Sequence, residues 1–199
     1  MRYSQKRQRS ITLILILTMV IVFSLEFVLP LEDWGSFVPE NVFTKPWTII
    51  TSIFLHADIS HIFFNMFALF IFGTQLEKII DEKTYLMIFF VSGIIGNIGY
   101  MITAPGSNIP GLGASGAIYG IMGTFAILRP TTIVFIGGMP MPMIFAAFFW
   151  TITEFSGLFV PGNIAHGAHL GGLFFGMLYG VLLRSREKDI TKPSHLYPS

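Results

Sequence analysis

Residues 165–183 read Ala-His-Gly-Ala-His-Leu-Gly-Gly-Leu-Phe-Phe-Gly-Met-Leu-Tyr-Gly-Val-Leu-Leu, a run of 19 with no Asp, Glu, Lys or Arg. A helix needs about 20 mostly apolar residues to cross the hydrocarbon core of a bilayer, and this run has that length. Its two histidines, His166 and His169, stand at the start. Gly172, Gly176 and Gly180 follow His169 at three, seven and eleven positions, so the four share one helical face. Between membrane helices such a stripe of small residues is a packing surface, because close backbone approach has to replace the missing hydrophobic drive. The stretch predicts a spanning helix seated tightly on a neighbour, with imidazole held near one end.

The rest of the chain has the same character. Charged residues make 12% of the 199, against about 25% in soluble domains. Apolar residues make 53%, phenylalanine occurs 21 times and mean hydropathy is +0.69. So few charges cannot cover a soluble surface of this size. Five further segments have spanning character: residues 11–29, 59–76, 85–103, 114–128 and 138–155. The fourth is short, but Gly111-Leu-Gly113 before it is uncharged and fits membrane depth. The predicted fold is all-α: a polytopic membrane protein whose six transmembrane helices form one bundle over residues 11–184.

Basic residues give the orientation. Arg2, Lys6, Arg7 and Arg9 precede span 1, Lys78 and Lys83 follow span 2, Arg129 follows span 4, and Arg184, Arg186 and Lys188 follow span 6. Lys45 is the one basic residue in the alternate connections. The positive-inside rule then puts both termini in the cytoplasm of a multi-pass protein, expected in the plasma membrane. Residues 1–10 form a basic cytoplasmic N-terminus. The apolar run after them has no small-residue cleavage site and reads as an uncleaved span. Residues 185–199, with Pro193 and Pro198, are predicted to form a disordered cytoplasmic tail. Residues 30–58 make the longest connection and carry Trp34 and Trp47, aromatic rings suited to the membrane interface.

A net charge of +1 offers no field for nucleic acid. The absence of cysteine excludes disulfides, a thiolate nucleophile and thiolate metal sites. The lipid bilayer is the one partner that composition implies. Oligomeric state is not readable.

Polar groups inside a bilayer are costly and tend to be functional. His56 and His61 lie at the start of span 2, with Asn65 one turn further. Ser115 opens span 4, and His166 and His169 open span 6. In the orientation above all three spans start on the outer side, so these groups converge at one depth. Ser115 sits in Gly113-Ala-Ser-Gly116, where a helix start provides unpaired N–H groups beside a serine. The same four residues also suit a small packing surface. Gly116, Gly120 and Thr124 form a ridge on span 4 that can meet the glycine stripe of span 6, bringing Ser115 beside His169. His61 and Asn65 share a face of span 2 and can both donate hydrogen bonds, to an oxyanion or to a neighbouring helix. A histidine metal site from His56, His61, His166 and His169 lacks the His-Glu-x-x-His run of a zinc protease helix. No span interior carries Asp, and Glu154 in span 5 is the one acid well inside a span. Serine chemistry fits these residues best, and no metal or organic cofactor is required.

The pieces His61-Ile-Phe-Phe-Asn65, Gly113-Ala-Ser-Gly116 and Ala165-His-Gly-Ala-His-Leu-Gly-Gly172, in this order on spans 2, 4 and 6, resemble the rhomboid family of intramembrane serine proteases. The resemblance implies a rhomboid-type six-helix bundle. It implies Ser115 as nucleophile and His169 as base, a dyad without an acidic third member. It implies His61, Asn65 and the Ser115 backbone N–H as the oxyanion hole, and Tyr119 as the ring stacked on the histidine. Gly172 and Gly176 match packing positions, with Gly113 and Gly116 flanking the serine, and Glu77 looks like a structural acid. His166 is a polar neighbour. Where many rhomboids have Trp-Arg, Trp47 is followed here by Thr48. The expected function is a serine endopeptidase that cuts transmembrane segments of substrate proteins near the outer face. The alternatives are a catalytically inactive rhomboid-like protein that binds membrane helices, and a small-solute transporter, which would carry inverted repeats and broken helices that this chain lacks. The first loop and span 5 are the candidates for substrate entry.

Overall fold

The structure, a computed structural model, describes residues 10–160, 162 and 164–190, the side chains of 187–190 excepted. The N-terminal basic residues Arg2, Lys6, Arg7 and Arg9 and the tail from 191 onward lie outside the described residues.

Six helices dominate. The first, α1 (Ile11–Glu26), starts where Ser10 accepts the Leu13 N–H and ends short of Pro30. The second, α2 (Ile59–Leu76), is capped by Asp58, whose carboxylate accepts the His61 N–H at 2.8 Å, and contains a π-helical turn over Leu69–Gly73. In α3 (Glu82–Thr103), the cap is Asp81, which accepts from the Thr84 hydroxyl at 2.6 Å and its N–H at 3.1 Å. Those bonds hold the Asp81 carboxyl below its ordinary range. The remaining helices are α4 (Ser115–Leu128), α5 (Met143–Gly157) and α6 (His166–Ile190). Among the described residues three helices are long and apolar enough to cross a membrane, over Ile59–Leu76, Glu82–Thr103 and His166–Arg186. The other three are apolar but shorter. At 1.5 Å per residue α4 is about 21 Å long, less than the ~30 Å hydrocarbon core.

Two expectations need correction. The chain is mostly helical but not all-α: β1 (Ile133–Ile136) and β2 (Met139–Pro142) pair antiparallel across Gly137-Gly138. Both glycines have positive φ, 57° and 83°, as a two-residue hairpin turn demands. The β-branched run before them and Pro140 and Pro142 after them favour this over helix. Span 5 accordingly begins at Met143 rather than 138. At the other end α6 continues through Ile190, past the boundary expected at residue 184.

The glycine stripe docks where it was expected to. A Cβ added at Gly172 would strike the Gly116 carbonyl, one at Gly176 the Gly120 carbonyl, and one at Gly180 would come within 3.1 Å of the Thr124 carbonyl. The partners keep a constant separation along the chain, so α4 and α6 run parallel. Thr124 donates its hydroxyl to the Gly176 carbonyl at 2.9 Å across this seam. A second seam on another face of α6 joins it antiparallel to α3: a Cβ at Gly167 would lie 2.7 Å from the Gly99 carbonyl and one at Gly171 2.7 Å from that of Ile95. The centre of α4 is buried from Gly116 to Ala126 except for half-buried Tyr119, whereas Phe63 and Phe67 of α2, Phe148 and Phe155 of α5 and Leu178 of α6 face outward. Such an apolar exterior is what lipid solvates.

The other end of the bundle is tied by Glu77. Its carboxylate accepts from the Ser10 hydroxyl at 2.7 Å and from the Thr12 hydroxyl and N–H at 2.8 and 3.0 Å, where the start of α1 favours negative charge. In the first loop Trp34 stacks on Trp47 with ring centroids 5.8 Å apart. Thr48, which follows Trp47, is buried and donates its hydroxyl to the Lys45 carbonyl.

Candidate active site

The approach to α4 is built by backbone pairing. Phe37 and Gly111 exchange N–H···O bonds of 2.9 and 2.7 Å, and Gly113 donates its N–H to the Ser52 carbonyl at 2.9 Å. Gly113 has φ of 115°, which a side chain rarely tolerates. A Cβ there would also lie 2.6 Å from His61 Nε2 and 3.8 Å from Asn65 Nδ2. Both predicted donors of α2 therefore stand against the residue two before Ser115. Asn65 spends one amide hydrogen on the His61 carbonyl at 3.0 Å and keeps a second. Among the described residues no side chain caps α4, so the first-turn N–H groups beside Ser115 are available to a ligand.

Ser115 Oγ lies 2.8 Å from His169 Nε2. The imidazole of His169 stacks on Tyr119 with centroids 4.5 Å apart and planes 7° from parallel. The seams place this pair: Gly116 and Gly172, the residues next to Ser115 and three after His169, are where the two backbones touch. Ser115, His169, His61, Asn65, Tyr119, Gly113, Gly116 and Gly172 are thus brought together at one end of the bundle.

His166 is no mere neighbour. Its Nδ1 sits 2.6 Å from Glu154 Oε2, and its ring occupies the space a side chain at Gly157 would need. Glu154, 6% exposed, also accepts the Tyr119 O–H on Oε1 at 2.5 Å, and its Oε2 lies 3.0 Å from His169 Nδ1. An acidic side chain therefore stands beside the imidazole, where none was expected. The readable signal was its cost: a carboxylate within a span demands partners.

The histidines do not gather as a four-imidazole site. His56 packs edge-on against His61 at 5.1 Å, both its ring nitrogens buried without a hydrogen-bond partner among the described residues. Burial, then the neighbouring His61, pushes this loop imidazole down to about 4, so it stays neutral near pH 7. Among the described residues Glu154, His166 and His169 bring ligand atoms within 4.8 Å of one another and are the set that could hold a cation. The Nε2 of His169 is turned away from that set, toward Ser115.

Comparison with known proteins gives the family. The family model described as Rhomboid domain matches residues 44–186. YdcA of Bacillus subtilis (strain 168), provisionally named a rhomboid protease, is 37% identical over 144 residues, which make 71% of this chain and 69% of that one. Rhomboid protein 1, mitochondrial, of Saccharomyces cerevisiae is 30% identical over 146 residues, 69% of this chain and 42% of the relative. Rhomboid protease GluP of B. subtilis is 31% identical over 141 residues, 69% of this chain but 26% of the relative. The chain thus spans less than half the length of the latter two. With its apolar helices, its glycine seams and this match over most of its length, the chain is an integral membrane protein and belongs to the rhomboid family.

Proposed function

We infer that the protein is an intramembrane serine endopeptidase that cuts transmembrane segments of other membrane proteins. The observation that carries the reading is the 2.8 Å approach of Ser115 Oγ to His169 Nε2 at the uncapped start of a helix. Names of relatives add support, since GluP carries the name of a rhomboid protease.

In this reading the substrate helix unwinds and offers a backbone carbonyl to Ser115. His169 takes the serine proton as the Oγ–carbon bond forms and returns it to the leaving amine. A water activated by the same imidazole then releases the acyl group. The oxyanion is met by the Ser115 N–H, the free Asn65 amide hydrogen and the His61 ring. His169 needs no search for its orientation, because the Tyr119 stack already limits it.

All six helices cross the membrane in this reading, the shorter ones with help from flanking apolar segments. Both termini are cytoplasmic, on the asymmetry of basic residues, and the starts of α2, α4 and α6 then lie toward the outer face. The shortness of α4 sets Ser115 below the surface. The membrane is taken to be the plasma membrane. Several relatives carry mitochondrial names, and cell fractionation decides between the two.

The test is reconstitution in proteoliposomes with a single-span substrate and mass-spectrometric mapping of the products. A cut in the outer third of the span is expected. Intact substrate, or cuts confined to the water-exposed flanks, would contradict the reading.

A further inference from the structure

His169 must present a bare Nε2 to Ser115 to accept its proton, so the neutral ring carries its hydrogen on Nδ1. That Nδ1 is buried, with no formed hydrogen bond among the described residues. The polar atom beside it is Glu154 Oε2 at 3.0 Å, placed obliquely to the ring. Glu154 is itself fixed from two sides, by the Tyr119 hydroxyl of α4 on Oε1 and by His166 of α6 on Oε2. Three helices therefore converge on one carboxyl, and its cost in a bilayer is offset by these partners. A carboxylate serving only to join α5 to the bundle would need His166 and Tyr119 alone. It would have no reason to stand against the second nitrogen of the imidazole that faces the serine.

We propose that Glu154 is a positioning residue of this site, holding His169 in the Nδ1–H tautomer and standing against the imidazolium formed when Nε2 takes the serine proton. The proposal rests on the protease reading and departs from the dyad that the family resemblance implies. The proton bookkeeping leaves Glu154 ionised throughout. The proton passes from Ser115 Oγ to His169 Nε2 as the Oγ–carbon bond forms, and from Nε2 to the leaving nitrogen as the carbon–nitrogen bond breaks. The carboxylate meets the transient charge without taking the proton. His166 and Tyr119 hold it in place, so that little reorganisation is needed when the charge appears.

The test compares the full-length wild type with Glu154→Gln and Glu154→Asp in proteoliposomes, titrating a transmembrane substrate. Glutamine keeps the shape and can still accept from Tyr119, but it can turn an N–H toward Nδ1 and select the wrong tautomer. The expected result is kcat lower by about 10²–10⁴-fold, with KM within about threefold of wild type. Aspartate, which keeps the charge one methylene further away, should recover about tenfold or more of that loss. A purely structural carboxyl gives a different pattern: kcat within about fivefold of wild type in folded protein, or a loss that Asp does not relieve and that tracks a lowered Tm. Either would overturn the proposal. Should the Gln variant not fold, the Asp variant decides: a reduced kcat at unchanged KM and Tm supports the role, and a wild-type kcat overturns it. A wild type that neither cleaves nor reacts with a serine-directed probe overturns the protease reading and this role with it. A wild type that cleaves beside an unimpaired, folded Gln variant overturns the Glu154 role alone.

Discussion

Cleavage by a His169→Ala variant is expected to fall about 10⁴-fold or more below wild type, with Tm little changed. Two features set the size. Serine is a poor nucleophile without a base, and the base here lies 2.8 Å from Oγ with no second described imidazole in hydrogen-bond contact with that oxygen. Tm should hold because the close backbone contact of Gly116 with Gly172 persists when the imidazole and its stack on Tyr119 are removed. The measurement is initial rate in proteoliposomes beside thermal unfolding of the same preparation. A His169→Ala protein within tenfold of wild type would mean that Ser115 is activated from elsewhere, or not used. The outcome separates from that for Glu154 by size and by the Asp rescue, which no substitution at His169 can mimic.

The second large effect is on stability. Gly176→Val should lower Tm by about 10 °C or more, corresponding to roughly 3 kcal/mol lost in a chain of this length. A Cβ at Gly176 meets the Gly120 carbonyl, its carbon and its Cα, all of them backbone. Backbone cannot swing aside as a side chain can, so α4 and α6 must part. Parting them also removes the Thr124 hydroxyl from the Gly176 carbonyl, leaving polar atoms unpaired in an apolar interior. Leu178→Ala on the exposed face of the same helix is the control, since it touches no helix seam and should shift Tm by a few degrees at most. Gly176→Val within 2 °C of that control would show that the seam is looser than the carbonyl contacts imply.

Much of this architecture was legible because the bilayer makes sequence unusually explicit. Uncharged runs announced helices, and glycines spaced along His169's face announced which two helices touch. From these alone Ser115 and His169 could be brought together, and the structure does so. The second seam was written in the same alphabet, in Gly167 and Gly171, but α6 has small residues on two faces and only one was read. Span 5 was harder. It has no glycine stripe to give its facing, and the hairpin ahead of it moves its start to Met143. Glu154 was therefore visible as an oddity, an acid inside an apolar span, without a partner that its position could name. Its neighbours come from α4 and α6, and pairing across three helices depends on rotations that no single-helix periodicity encodes. His166 was obscure for the same reason, since its role is to hold Glu154.

The central claim is an activated serine, and a fluorophosphonate probe tests it without knowledge of the natural substrate. Detergent-solubilised wild type, Ser115→Ala and His169→Ala would be incubated with probe, and labelled protein quantified and mapped by mass spectrometry. Labelling of wild type at Ser115, absent from both folded variants, is the predicted result. Wild type left unlabelled where a known serine hydrolase reacts, or labelling that persists in His169→Ala, would contradict the account.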